Sequence, residues 1–119
     1  MAELSQQPSQ IRSTYGEIVQ ALLSDYASVE PVNGDFETEV IFDVARDRYQ
    51  VVSFGWMDDR WVHHCSMHLE VRKGKIWIFC NATERSLERE LVELGVPKED
   101  IVFGFCPPYL REMTEYGVG

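Results

Sequence analysis

Apolar and polar residues alternate through the middle of the chain, between Phe36 and Asn81. A period of two is typical of β-strands with one buried face. Asp58-Asp59 and Lys73-Gly74 read as two-residue turns, and the glycine suits the positive φ that such turns require. The pattern therefore predicts four consecutive antiparallel strands: Phe36–Val44, Tyr49–Trp56, Trp61–Val71 and Lys75–Cys80.

Pairing these strands through their turns assigns a face to each side chain. The Asp58-Asp59 turn places Trp56 opposite Trp61, Phe54 opposite His63 and Val52 opposite Cys65. The Lys73-Gly74 turn places Val71 opposite Ile76, Leu69 opposite Ile78 and Met67 opposite Cys80. A two-residue turn at Arg46-Asp47 would put Phe42 on the wrong face, so we expect an odd-length loop or a bulge between Ala45 and Tyr49. The predicted inward face is Phe36, Val40, Phe42, Val52, Phe54, Trp56, Trp61, Cys65, Met67, Leu69, Val71, Ile76, Ile78 and Cys80.

The second predicted face of the sheet is mixed, because apolar residues stand there beside His64, His68, Glu70 and Arg72. Large apolar side chains on a surface often mark an interface. The alternative is that the C-terminal segment folds over Trp77 and Phe79, and the sequence leaves both interpretations open. The predicted partner interface is Ile41, Tyr49, Val51, Val62, His68, Trp77 and Phe79.

Helical signals flank the predicted strands. Ser9 is a candidate N-cap for a long N-terminal helix, whose apolar stripe is Ile11, Tyr15, Ile18, Val19, Leu22, Leu23 and Tyr26. Residues 1–8 are predicted to be disordered, and Pro31 is expected to follow the end of the helix.

A second helix is predicted after the fourth strand. Its N-cap candidate is Thr83, its buried stripe is Leu87, Leu91 and Leu94, and its end is marked by Gly95 and Pro97. Ile101–Phe103 resembles a short strand, and Tyr109–Tyr116 is expected to add a last helical turn or two. The predicted fold is a single α+β domain, residues 1–119: a four-stranded antiparallel meander sheet with the long helix packed on one face and one or two short C-terminal helices.

The charge of the chain narrows the possible partners. Acidic residues outnumber basic ones 20 to 11, and the net charge is −9, which argues against strong direct nucleic-acid binding. Local basic patches remain open at Arg46 with Arg48 and at Arg72, Lys73 and Lys75. No apolar run approaches the roughly 20 residues of a membrane span. The N-terminus carries no secretory signal and there are three cysteines, so a cytoplasmic protein with reduced thiols is expected.

The segment His63, His64, Cys65 and His68 is the one candidate for metal chemistry. On a strand His64 and His68 share a face but lie roughly 13 Å apart at about 3.3 Å per residue, too far to bind one ion. His63 and Cys65 point to the opposite face, where Cys65 and Cys80 are expected to be neighbouring core residues. We therefore predict no catalytic residue, no metal ligand and no cofactor. The alternative is a small metal- or ligand-binding enzyme that uses this segment.

Three ordered motifs resemble the XisI family of cyanobacterial proteins. They are the segment from Phe42 to Trp56, the segment from Val62 to Ile78, and the segment from Glu90 to Val102 with Pro108 and Tyr109. The resemblance implies control of excision of the fdxN element during heterocyst differentiation, beside a companion protein, XisH, while a separate recombinase cuts the DNA. The expectation is a non-enzymatic accessory factor that acts through an XisH-like partner, with a homodimer also expected. The chain departs from the family pattern at His64 and in Cys80–Glu84, which puts the specificity of that neighbourhood in question.

Overall fold

The computed structural model describes residues 8–29 and 36–119. Residues 1–7 and Pro31, which carried two of the predictions, lie outside this part of the chain. The described helices are α1 (Pro8–Ala27), α2 (Leu87–Glu93) and α3 (Pro108–Arg111). The described strands are β1 (Phe36–Asp43), β2 (Arg48–Met57), β3 (Arg60–Arg72), β4 (Lys75–Asn81) and β5 (Ile101–Phe103).

The sheet has the order β1-β2-β3-β4-β5. The predicted antiparallel meander of the first four strands is confirmed. The prediction of a purely four-stranded sheet is wrong, because β5 adds to the edge of β4 in parallel, with Ile101 beside Ile76. A parallel pair needs a crossover connection, and the segment that contains α2 supplies it.

The core lies between α1, α2 and one face of the sheet, here called the helix face. Val19, Leu22 and Leu23 of α1 pack there with strand residues that are also buried. The helix approaches β2 closely at Gly16, where a Cβ atom would lie 2.6 Å from the hydroxyl oxygen of Tyr49. The prediction that the long helix covers one face is therefore confirmed.

The predicted face of β2 is wrong. Phe42 pairs with Tyr49 and Val40 with Val51, and both Tyr49 and Val51 are fully buried on the helix face. Val52, Phe54 and Trp56 consequently point to the opposite side, here called the far face.

The loop between β1 and β2 explains this difference. Asp43 pairs with Arg48, so the loop is residues 44–47, an even number and not the predicted odd one. Asp43 caps its 3₁₀ turn by accepting from the Arg46 N–H, and Asp47 is left-handed with φ 57°. The Tyr49 hydroxyl donates to Asp47 at 2.9 Å, which holds the tyrosine on the helix face.

A β-bulge at Ser66 changes the faces of β3 part-way along the strand. The predicted pairs Val52–Cys65, Phe54–His63 and Trp56–Trp61 are confirmed, but beyond the bulge Val51 pairs with Met67. Before the bulge, Trp61, His63 and Cys65 therefore lie on the far face. After the bulge, Met67, Leu69 and Val71 lie on the helix face. A single inserted residue reverses the alternation, so Trp61 and Cys65 are not in the core as predicted.

A second bulge, at Phe79, alters the end of β4. The turn at Lys73-Gly74 has positive φ at both residues and sets the predicted pairs Val71–Ile76 and Leu69–Ile78. Past the bulge Cys80 pairs with His68 and not with Met67. Cys80 therefore joins the far face, against the prediction.

The helix ends differ from the prediction in three places. Helix α1 begins at Pro8, so Ser9 lies in its first turn and not at its N-cap. Helix α2 begins after Ser86, while Thr83 instead donates to the side chain of Asn81. Leu94 is 53% exposed and is not part of the buried stripe.

The predicted stop of α2 is confirmed. Gly95 has φ 102°, and the N–H groups of Gly95 and Val96 donate to the carbonyls of Val92 and Leu91. These two bonds form a Schellman motif, which the glycine makes possible.

Candidate functional site

Four rings of the β2–β3 hairpin lie together on the far face: Phe54, Trp56, Trp61 and His63, here called the aromatic surface. Trp56 and Trp61 meet edge to face with centroids 5.4 Å apart. Phe54 lies 6.1 Å from Trp61 and 6.0 Å from His63. Both tryptophans are 53% exposed, so the cluster presents apolar rings to solvent.

The sequence pattern misassigned these rings to the core because they are the largest apolar residues of their strands. The residues that alternate with these rings in β2 are Ser53 and Gly55, which are small and buried on the helix face. A strand that alternates small and aromatic residues beside a turn could have indicated that the aromatic side was not the one beneath the helix.

Acidic side chains border the aromatic surface. Glu37 of β1 pairs with Phe54, and Glu39 pairs with Val52, so both acids share the far face and both are exposed. Neither makes an ion pair within the described part of the chain.

A polar network lies further along the far face, around Glu70. The Glu70 carboxylate is 6% exposed; it accepts from His68 Nε2 and from Arg72 Nε, both at 2.8 Å. Arg48 Nε lies 3.8 Å away. Burial raises the pKa of Glu70, but the hydrogen bonds from His68 and Arg72 outweigh it and hold the pKa below its usual range.

The second ring nitrogen of His68 is also occupied. Gln50 Nε2 lies 3.4 Å from His68 Nδ1. Since the amide nitrogen is a donor, Nδ1 accepts and Nε2–H donates to Glu70. Both ring nitrogens of the imidazole are therefore used within the network, and neither is free to act as a general base for a nucleophile.

Trp77 and Phe79 are stacked on the far face with centroids 6.0 Å apart and planes inclined by 17°. The C-terminal segment covers Trp77: the Arg111 guanidinium lies 5.1 Å from its ring, and a Cβ atom on Gly119 would lie 3.1 Å from the indole. Both aromatic residues are half-buried. Of the two interpretations left open, covering by the C-terminal segment describes this end of the sheet.

The predicted interface is divided between the two faces. Ile41, His68, Trp77 and Phe79 lie on the far face, and their contact with a partner stays a prediction. Tyr49 and Val51 are fully buried under α1. Val62 pairs with Gly55 on the helix face. The prediction that Tyr49, Val51 and Val62 share a surface with the four far-face residues was therefore wrong.

The histidine and cysteine segment does not converge on one point. His64 lies on the helix face with Nε2 3.2 Å from Ser66 Oγ, whereas His68 lies on the far face. The Cys65 thiol donates to the Met67 carbonyl at 3.2 Å. Burial and the neighbouring Cys80 raise its pKa, the opposite of what an activated thiolate needs.

Two further properties of the described residues concern metal binding and membrane insertion. Residues 8–29 and 36–119 contain no group of three or more His, Cys, Asp or Glu side chains placed to hold a metal ion. Within the same ranges, no helix has both the length and the apolar character needed to cross a membrane.

Comparison with known proteins identifies the family. The model of the family described as XisI protein matches residues 10–118. The chain belongs to the XisI family. This confirms the resemblance inferred from the three sequence motifs. A comparison with curated protein sequences finds no match.

Two solved XisI-family structures share the fold. An XisI-like protein from Anabaena variabilis ATCC 29413 is 41% identical, with a TM-score of 0.85 over 91% of this chain and 99% of that protein. The fdxN element excision controlling factor XisI from the same organism is 28% identical, with a TM-score of 0.79 over 92% and 99% of the two chains.

Proposed function

We propose that this protein is a non-enzymatic accessory factor in the controlled excision of a DNA element, and that it acts through a companion protein resembling XisH. The excision role is supported by the family and by the name of the solved relative. The single observation that carries the mode of action is the aromatic surface, because it exposes two tryptophans that the fold does not use in its core.

Exposed tryptophans within an apolar cluster are typical of residues that dominate binding energy in protein interfaces. The rings of Trp56 and Trp61 contact each other on neighbouring strands of a hydrogen-bonded sheet. They therefore lose little side-chain freedom on binding, which lowers the entropic cost of association.

The electrostatics favour a protein partner over DNA. The net charge is −9, and Glu37 and Glu39 make no ion pair within residues 8–29 and 36–119. Phosphate contacts supply much of the affinity of DNA-binding proteins. A chain of this charge therefore controls recombination through another protein in the cytoplasm, where both would meet.

The network around Glu70 lies on the same far face as the aromatic surface, and we assign it to partner recognition and not to catalysis. His68 uses both ring nitrogens within the network, and Cys65 is held as a donor to a backbone carbonyl. The arrangement lacks a nucleophile within reach of a free base.

Co-expression with an XisH-like protein and co-purification tests the proposal. We expect a stable complex with the wild type and its loss in Trp56→Lys and Trp61→Lys. Leu94→Lys is the matched control, since Leu94 is equally exposed, at 53%, on a different element. An unchanged complex in both tryptophan variants would show that the aromatic surface is not the interface.

DNA binding provides a second test. The isolated protein should not bind DNA tightly at physiological salt. Tight binding with a steep dependence on salt concentration would contradict action through a partner. Light scattering on the wild type and Trp56→Lys would show whether the same surface pairs two copies of the chain.

A further inference from the structure

The far face carries a row of three side chains across neighbouring strands: Glu37, Phe54 and His63. The pairings Glu37–Phe54 and Phe54–His63 set this row. The Glu37 carboxylate is therefore in register with the Phe54 ring, and Glu39 lies one row further along β1, beside Val52.

The faces of aromatic rings carry negative electrostatic potential and attract cations. The two carboxylates add full negative charges that no cation neutralises within residues 8–29 and 36–119. The nearest chemical match for such a surface is a cationic side chain.

Cations already lie over other aromatic rings in the described part of the chain. Lys98 Nζ is 5.8 Å from the centre of the Tyr116 ring, but the two shortest such distances belong to arginines. The Arg72 guanidinium lies 5.0 Å from the centre of the Phe79 ring. Arg111 covers Trp77 at 5.1 Å. In the described part of the chain no cation lies over Phe54, Trp56 or Trp61, although these rings belong to the same face.

We propose that the aromatic surface, with Glu37 and Glu39, binds an arginine side chain presented by an exposed segment of the partner protein. The inference rests on the proposed function. A planar guanidinium stacks on an indole while its N–H groups donate to a carboxylate, a geometry that a lysine ammonium does not reproduce. A second copy of this chain is disfavoured as the occupant, because each copy carries a net charge of −9.

The probe for this site is a short peptide that alternates serine and arginine, titrated into the wild-type protein. The readout is the NMR shift of the three tryptophan indole N–H signals. Signals of Trp56 and Trp61 should move, and that of Trp77 should not, because Arg111 already covers its ring.

Matched peptides and variants establish the chemistry. The same peptide with citrulline in place of arginine keeps the shape and removes the charge, so it should cause no shift. Trp56→Leu should weaken binding by roughly three- to fivefold, the effect of one exposed cation–π contact. The double variant Glu37→Gln with Glu39→Gln should weaken binding by roughly two- to fivefold, the effect of losing an exposed ion pair. Glu112→Gln, which changes an exposed acid on another element, should bind as the wild type does.

The inference would be overturned by three results. These are no shift with the arginine peptide, equal shifts with the citrulline peptide, or unchanged affinity in the double glutamine variant. Dimerisation of the wild type that the peptide does not displace would make a second copy the occupant and would also overturn it.

The two proposals fail separately. If the companion co-purifies through the tryptophans but the arginine peptide does not bind, the accessory function stands and the arginine inference falls. If the peptide binds but no companion co-purifies, the arginine site stands and the proposed function loses its support.

Discussion

Replacing Glu70 by glutamine tests whether the polar network on the far face stabilises the fold. Glu70 is 6% exposed and accepts from His68 and Arg72 at 2.8 Å each. Glutamine has nearly the same shape but only one acceptor oxygen, and its NH₂ group would face one of the two donors. At least one of these hydrogen bonds is therefore lost.

The expected cost follows from the kind of bond removed. A hydrogen bond to a charged group contributes about 1.5–3 kcal/mol. The Arg72 side chain is 50% exposed, so solvent screening reduces its share. Because of this screening, we expect Glu70→Gln to lower the free energy of unfolding by about 1–2 kcal/mol at pH 7, at and below the lower end of that range.

The difference in the free energy of unfolding between wild type and Glu70→Gln should also depend on pH. The folded protein holds the Glu70 pKa below its usual value, so the carboxylate contributes stability above the unfolded pKa of about 4.3. That contribution is lost as the pH falls through the lower folded pKa. Since glutamine does not titrate, the difference between wild type and variant should shrink below about pH 4.

Urea unfolding, followed by far-ultraviolet circular dichroism, measures the difference at pH 7 and at acid pH. The control is Glu112→Gln, the same chemical change at an exposed position, and it should stay within about 0.5 kcal/mol of wild type. A Glu70→Gln effect under about 0.5 kcal/mol, or one that does not change with pH, would refute the argument that the network is a stabilising, ionised one.

Three further predictions test the corrected faces and contacts by the same unfolding assay. Val51→Ala should lower the free energy of unfolding by about 2 kcal/mol, from two lost methyl groups and a cavity. Val52→Ala should cost less, because Val51 is fully buried whereas Val52 is only half-buried on the far face. Equal costs would contradict the face assignment. Leu91→Ala should cost about 2–5 kcal/mol and Leu94→Ala under about 0.5 kcal/mol, since they are 0% and 53% exposed; a large effect at Leu94 would count against the described end of the helix. Gly104→Ala should destabilise by about 1–3 kcal/mol, because a Cβ atom there would lie 2.7 Å from a phenylalanine ring of β4, and a neutral result would mean that this ring moves freely.

Much of the fold was predictable from short stretches of sequence. The Lys73-Gly74 turn needs positive φ at two successive residues, and the structure has it. The stop at Gly95 and the pairing of Trp56 with Trp61 were likewise predictable. These features depend on residues close together in the chain, so local conformational preference is enough to determine them.

The candidate site was only partly predictable. The far-face position of Ile41 and His68 followed from alternation, but the two tryptophans of the aromatic surface were assigned to the core. Hydrophobicity does not distinguish a ring that is buried in the core from one that is kept for a partner. The distinction depends on where α1 lies over the sheet.

Tertiary structure alone decided which face is buried in β2, in β3 before its bulge and at the end of β4. The Ser66 bulge reverses the alternation within β3, and the buried hydroxyls of Ser53 and Ser66, 2.7 Å apart, satisfy each other there. The sequence by itself determined the four strands of the meander, their order and the turns at Asp58-Asp59 and Lys73-Gly74, because those follow from local pattern and chain connectivity. It also placed Met67, Leu69, Val71, Ile76 and Ile78 on the buried face. It did not determine the faces of β2 and of the first part of β3, because a shift of one residue exchanges the two sides of a strand, and only packing against the helix selects between them.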